Sequence, residues 1–320
     1  MSNSSHSVLV VCFDNIGDLV FISPLTRELS QRESIHSITL WCKNYTADLA
    51  SLLPGVDRVI ASEPFWDKSP RQRRGSFIKF AKTWLAVRNC KFDVAYIAGR
   101  NSLTCRLVYL LGIKQRVGFD YRNSKKYLTD VVADTRKDRP VLEGIQRLLL
   151  SSSSQNPSFY SIKKPQISFG VENNTIGLHP FAGSKKRCAP LNAWLRLAEA
   201  LTDEGYKILF FGGDDELSEL CSIRRTKSWK TIASYKKNMN LYEVASVLSE
   251  LHCFIGHDSG LLHVASALKT PVVGLYLPGQ PERTFPQGSG ESYVIHRVSP
   301  DELDEEELVA AVTDFLKSLR

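Results

Sequence analysis

Residues 254–281, FIGHDSGLLHVASALKTPVVGLYLPGQP, decide how the chain is read. Leu251, Cys253 and Phe254 close a short apolar run with the character of a buried strand end, and Gly256-His257-Asp258-Ser259-Gly260 follows as a turn. Residues 261–268 carry helical spacing, Pro271 stops that helix, and residues 272–276 form the next apolar run, as in a parallel sheet. A turn that feeds a helix leaves N–H groups without intrahelical partners at the positive end of the dipole, which suits an anion and phosphate above all. Ser259 adds a hydroxyl, and His263 lies one turn further along the same face. The same residues also admit a plainer reading, in which Asp258 and Ser259 only cap the helix and His263 is packed.

Outward from this stretch, the same alternation recurs. Residues 8–13 (VLVVCF) read as a buried strand ending in Asp14-Asn15-Ile16-Gly17-Asp18, with helical spacing after it despite Pro24. Strands are predicted at 38–42, 56–60, 92–97 and 115–118, and helices at 46–53, 77–88 and 104–111. A Ser/Asn/Pro-rich segment from 151 to 165 is the sharpest shift in composition and is read as a linker. Beyond it come strands at 175–178 and 207–211, helices at 191–204, 217–225 and 241–250, and a closing helix at 301–319. Two successive βαβ series predict an α/β protein of two doubly wound parallel sheets facing across a cleft, with domains 1–160 and 161–320.

Composition narrows the partners. The 320 residues are 43% apolar and 23% charged, as in a folded globular protein. No apolar run approaches the roughly 18 residues a bilayer span needs, and the first strand has no basic segment before it, so it does not read as a signal peptide. Seven cysteines, none at CxxC spacing, are expected to be reduced core residues of a cytoplasmic protein. The net charge of +7 is unevenly shared: residues 1–165 hold 25 Lys and Arg against 14 Asp and Glu, whereas 166–320 hold 16 against 20. A basic first half implies an anionic partner, whether a phosphorylated substrate, an acidic membrane surface or nucleic acid. Nucleic acid fits least, because the basic loops lack interleaved aromatics and no helix-turn-helix or zinc pattern is visible.

Three constellations could carry chemistry. Asp18 follows a buried strand in the first turn of a helix, where the dipole favours its ionised form and the carboxylate can accept a proton from an attacking hydroxyl; the position is also a good structural one for Asp. In residues 179–187 (HPFAGSKKR), Ala182, Gly183 and Ser184 permit close backbone approach, and Lys185, Lys186 and Arg187 supply cations for a leaving diphosphate. In Gly212-Gly213-Asp214-Asp215-Glu216 a carboxylate such as Asp215 could meet a ribose hydroxyl. No third carboxylate is spaced to complete a metal cage, and GxGxxG, GxxxxGK[ST] and GxSxG are all absent.

Taken together, VLVVCFDNIGDLVFISPLTREL (8–29), IGLHPFAGSKKRCAPLNAWLRLAEAL (176–201) and FIGHDSGLLHVASALKTPVVGLYLPGQPERTFP (254–286) resemble the heptosyltransferases of glycosyltransferase family 9. The resemblance implies a GT-B fold of two Rossmann-like domains, the first binding the acceptor and the second the donor. It implies an inverting transfer from ADP-heptose, without metal or other cofactor, to an anionic lipid-linked sugar of the lipopolysaccharide inner core. By the same resemblance Asp18 matches the catalytic base, and Asp258, Ser259, Gly260 and His263 match the donor-diphosphate motif. Lys186 or Arg187 matches the cation of the second motif. Ser259 stands where the family usually has Thr, Cys188-Ala189 lacks the usual aromatic before Pro190, and Asp14-Asn15 replaces small hydroxyl residues. On this reading Arg71, Arg74, Arg122 and Lys125 steer the acceptor toward Asp18, and the protein sits peripherally on the cytoplasmic face of the inner membrane. Epimerisation or hydrolysis of a nucleotide sugar on the same fold, another donor sugar, or a protein acceptor are the alternatives.

Overall fold

The apolar runs of the sequence become the central strands of two parallel sheets. The computed structural model describes residues 6–67, 75–149, 159–213, 216, 233–234 and 239–319, and the chain divides into two compact units, Met1–Lys163 and Lys164–Arg320. The first holds β1 (His6–Cys12), β2 (Ile35–Cys42), β3 (Arg58–Ala61), β4 (Val94–Ile97), β5 (Gln115–Phe119) and β6 (Asp130–Val132). The second holds β7 (Thr175–His179), β8 (Lys207–Phe210), β9 (Ala233–Ser234), β10 (Cys253–His257), β11 (Val272–Tyr276) and β12 (Ser292–His296).

Strand order is β3-β2-β1-β4-β5-β6 in one sheet and β12-β11-β10-β7-β8-β9 in the other, so each unit repeats the same doubly wound plan. Both directions of winding start from the unit's first strand, which places a topological switch point between β1 and β4 and another between β7 and β10. The strands beside these points are covered on both faces, and Val8–Cys12, Thr175–His179 and Cys253–His257 are accordingly buried throughout.

The six-stranded plan exceeds what periodicity predicts. β6, β9 and β12 are edge strands that the sequence reading passes over, and β12 (SYVIH) is largely exposed, so it lacks the continuous apolar run of a central strand. The helix expected at 46–53 is only Ala47–Ala50, preceded by a 3₁₀ turn. The predicted helix at 217–225 lies outside the described residues. The later part of the expected linker is packed. Tyr160 is fully buried, Arg27 donates to the Ser161 hydroxyl and the Phe159 carbonyl, and Lys163 N–H donates to Leu52 O at 2.7 Å. The next residues are strapped to the second unit, where Glu250 accepts from the N–H groups of Phe169 and Val171 at 3.0 and 2.9 Å.

Candidate functional site

In the first unit, the chain leaves β1 at Cys12 and enters the helix Ile16–Phe21 through an N-cap at Asn15. Asp18, at the third helical position, is exposed, and its Oδ2 accepts the Asn15 N–H at 3.2 Å as half of a capping box. The structural use of an acid in a first helical turn is therefore realised, and it holds the carboxylate at the carboxyl end of the central strand. Asn15 Oδ1 accepts the Tyr45 hydroxyl at 3.1 Å.

Asp14 occupies the switch point itself. A Cβ placed on Gly99, just beyond β4, would lie 2.7 Å from Asp14 Oδ2, so the carboxylate end packs directly against this glycine. Burial pushes the Asp14 carboxyl up to about 6; the neighbouring Asp18 charge adds to this, while Arg136 and Lys43 pull it back. Lys43 is buried and ion-paired to Asp67. Arg136 is buried as well: it donates to the Ala98 carbonyl at 3.0 Å and to Asp134 at 2.9 Å, and its guanidinium lies 3.9 Å from the Phe119 ring centroid. Arg100 donates to the other oxygen of Asp134. Burial opposes ionisation of Asp134, but the hydrogen bonds from Arg136 and Arg100 outweigh it and hold this carboxyl well below the usual carboxylate range.

Of the basic residues singled out in the sequence, Arg122 and Lys125 follow β5 at the same end of the sheet and are exposed. Arg122 has φ of 52° and rests over the Tyr121 ring, and Lys125 pairs with Asp120 at 2.9 Å in solvent. Arg71 and Arg74 lie outside the described residues.

The second unit gathers a different chemistry at its switch point. β7 ends in His179, β10 ends in His257, and Asp258 and Ser259 lead into the helix Gly260–Ala267. Ser259 is the N-cap residue, yet its hydroxyl makes no cap bond; Oγ lies 3.3 Å from His179 Nδ1 across the switch point. The first amides of that helix are left to a ligand or solvent. His263 is buried one turn in, with Nε2 3.5 Å from Asp258 Oδ1. Arg187 reaches Asp258 from the loop after β7, 3.6 Å from its carboxylate and 3.4 Å from its carbonyl. Lys186, Ser184 and Gly183 are exposed on that loop. Arg187 is the cation drawn into the cluster, and Asp258 lies within reach of both Arg187 and His263.

His257 holds the loop in place. Its Nε2 accepts the Ala189 N–H at 3.1 Å, which requires a neutral ring, and Trp194 meets it edge-on at 5.2 Å. Burial drives the His257 imidazole down to about 3, with the His179 and Arg187 charges acting in the same direction. In the run 212–216, Glu216 accepts the Gly213 N–H at 2.9 Å, and Asp214 and Asp215 lie outside the described residues. The sequence reading gave no role to His179, His257, Lys43, Tyr45, Arg100, Asp134 or Arg136. Their shared signal is position just at or after a strand's carboxyl end.

The sequence profile described as glycosyltransferase family 9 (heptosyltransferase) matches residues 80–307. The chain belongs to this family. Over 307 residues it is 25% identical to lipopolysaccharide heptosyltransferase 2 of Escherichia coli K12, covering 87% of this chain and 85% of the relative. Among solved structures it resembles a family 9 glycosyl transferase from Veillonella parvula, with a TM-score of 0.83 at 18% identity over 99% of both chains. It also resembles the E. coli ADP-heptose lipopolysaccharide heptosyltransferase II, with a TM-score of 0.80 at 21% identity over 98% of this chain and 99% of that one. The protein is thus a glycosyltransferase of the GT-B fold, built from two Rossmann-like domains.

Proposed function

We propose that this family 9 enzyme transfers a heptose from ADP-heptose to an anionic sugar of the lipopolysaccharide inner core, with inversion at the anomeric carbon. The relatives' names supply the substrate classes. The observation that carries the donor assignment is the β7/β10 switch point, where uncapped helix amides, Ser259, His263 and Arg187 converge. There the diphosphate takes the N–H groups at Gly260 and the charges of Arg187 and Lys186, with Ser184 alongside, and Asp258 holds Arg187 in place. These cations do the work of a metal on the leaving group, so turnover is expected to persist in a strong chelator. Asp215, or a neighbouring carboxylate of the same run, takes the ribose hydroxyls.

Asp18 is the general base. The acceptor hydroxyl attacks the anomeric carbon, the bond from that carbon to the diphosphate oxygen breaks, ADP leaves with the electron pair, and the hydroxyl proton passes to Asp18. Arg71, Arg74, Arg122 and Lys125 steer the acceptor's phosphates or carboxylates. Among the described residues no helix is long and apolar enough to cross a membrane, and the lipid-linked acceptor is met by peripheral contact with the cytoplasmic face of the inner membrane.

The decisive experiment pairs calorimetry with turnover. ADP-heptose is expected to bind in preference to GDP- and UDP-sugars, and Asp18→Asn is expected to lower turnover by about 10²-fold or more with ADP affinity unchanged. Full turnover in Asp18→Asn refutes the base; equal binding of the three nucleotides refutes the donor.

A further inference from the structure

The helix Phe77–Asn89 is apolar on two sides, and on the outer one the single ring contact is that of Phe77 with Phe65 at 5.1 Å, among the described residues. Its inner face sets Phe80 and Val87 against the core, at 2% and 0% exposure. Phe77, Ile78 and Leu85 point outward at 65%, 67% and 54% exposure, and on a helical wheel they fall within about 100° of one another. Ordinary surface helices place polar residues there. Lys79, Lys82 and Arg88, together with Lys91 just beyond the helix, are exposed, and no acidic residue occurs between 75 and 91. The helix is held firmly: Ser76 caps it by accepting from Lys79 N, and Trp84 Nε1 donates to the Leu107 carbonyl at 2.9 Å. The patch is therefore part of a preformed surface.

We propose that the outward face of helix Phe77–Asn89 is the surface on which this protein docks to an anionic lipid bilayer. Large apolar side chains and cations share one face, and a bilayer interface accommodates both at once. The acyl boundary takes Phe77, Ile78 and Leu85, and the headgroup phosphates take Lys79, Lys82 and Arg88, whose stems lie along the apolar boundary. A helix of 13 residues is about 20 Å long and lies in the interface plane. The lack of Asp and Glu in residues 75–91 suits a negative surface potential. This names the docking face for the peripheral membrane contact proposed above, and it depends on no particular donor or acceptor.

The test is sedimentation of the full chain with phosphatidylcholine vesicles, with and without phosphatidylglycerol, in the absence of donor and acceptor. The wild type is expected to sediment with the anionic vesicles and to be released by salt. Lys79→Glu/Lys82→Glu and Phe77→Ser/Leu85→Ser are each expected to lower the partition coefficient about tenfold or more. Turnover of both on a delipidated acceptor should stay at the wild-type level, and Lys79→Glu/Lys82→Glu should also keep its thermal midpoint, since its side chains are exposed, whereas Phe77 gives up an edge contact with Phe65. Undiminished vesicle binding by both double variants overturns the proposal, as does failure of the wild type to bind or equal binding to both vesicle types. A concentration-dependent dimer that Phe77→Ser/Leu85→Ser dissolves would assign the face to a second copy instead. Loss of ADP binding in the calorimetry above would sink the donor assignment while leaving this result untouched.

Discussion

The two switch points share a topology and oppose each other in charge. At β1/β4 the chain places carboxylates: Asp14 against Gly99 and Asp18 at the start of a short helix, with Lys43 and Arg136 held back in pairs with Asp67 and Asp134. At β7/β10 it places donors and a cation: free helix amides, the Ser259–His179 contact, and Arg187 aimed by Asp258. On the proposed reading the first crevice receives a proton and the second an anion. A doubly wound sheet thus dictates where a ligand binds, and the few residues after two strands decide which chemistry it meets.

The most forceful way to break this contrast is the Asp18→Asn exchange, whose effect is to fall on turnover alone. Next, Arg187→Ala should weaken ADP binding by about 10- to 100-fold, the scale of a charge-assisted hydrogen bond, and the loss should shrink at high salt; unchanged affinity in calorimetry would remove the cation from the second crevice. The third test concerns Asp14. Burial pushes its native carboxyl up to about 6, against about 3.9 when unfolded, so the native state holds an extra proton between those values. The resulting penalty on stability is absent below about pH 4, grows as pH rises, and is complete above about 6. Asp14→Asn should therefore stabilise the first unit by about 1–3 kcal/mol at pH 8 and by almost nothing at pH 4; equal shifts of the thermal midpoint at both pH values would show that the carboxyl is not strained. Gly99→Ala, which drives a methyl to 2.7 Å from Asp14, should cost about 1–2 kcal/mol, and Asp14→Ser in the same chain should recover most of it. The smallest effect is Ser259→Ala, about fivefold in ADP affinity for one neutral hydrogen bond.

Much of this was legible in the residues. The stretch 254–281 announces strand, turn, helix and strand because buried parallel strands are continuous apolar runs and the turn is marked by two glycines. Asp18 and Ser259 stand out because the boundary between a strand and a helix is where backbone donors go unpaired. Edge strands such as β12 escaped notice because one exposed face dilutes their pattern. Lys43 and Arg136 read as two more basic residues among 41 in the chain, and only burial beside Asp67 and Asp134 shows that they are structural cations.

The order of apolar runs, the turns between them and the sign of charge in each half are local properties, and the sequence alone determined them together with the family. Which residues meet was decided by the tertiary structure. Asp14 and Gly99 are far apart in the chain, as are His179 and Ser259 and Ala189 and His257, and each pair is joined only because strands distant in sequence lie side by side in a sheet. Periodicity reports a residue's own face and not its neighbour's, so the outward Phe77, Ile78 and Leu85 of a helix apolar on two sides could be told from core only once the packing chose which side to bury.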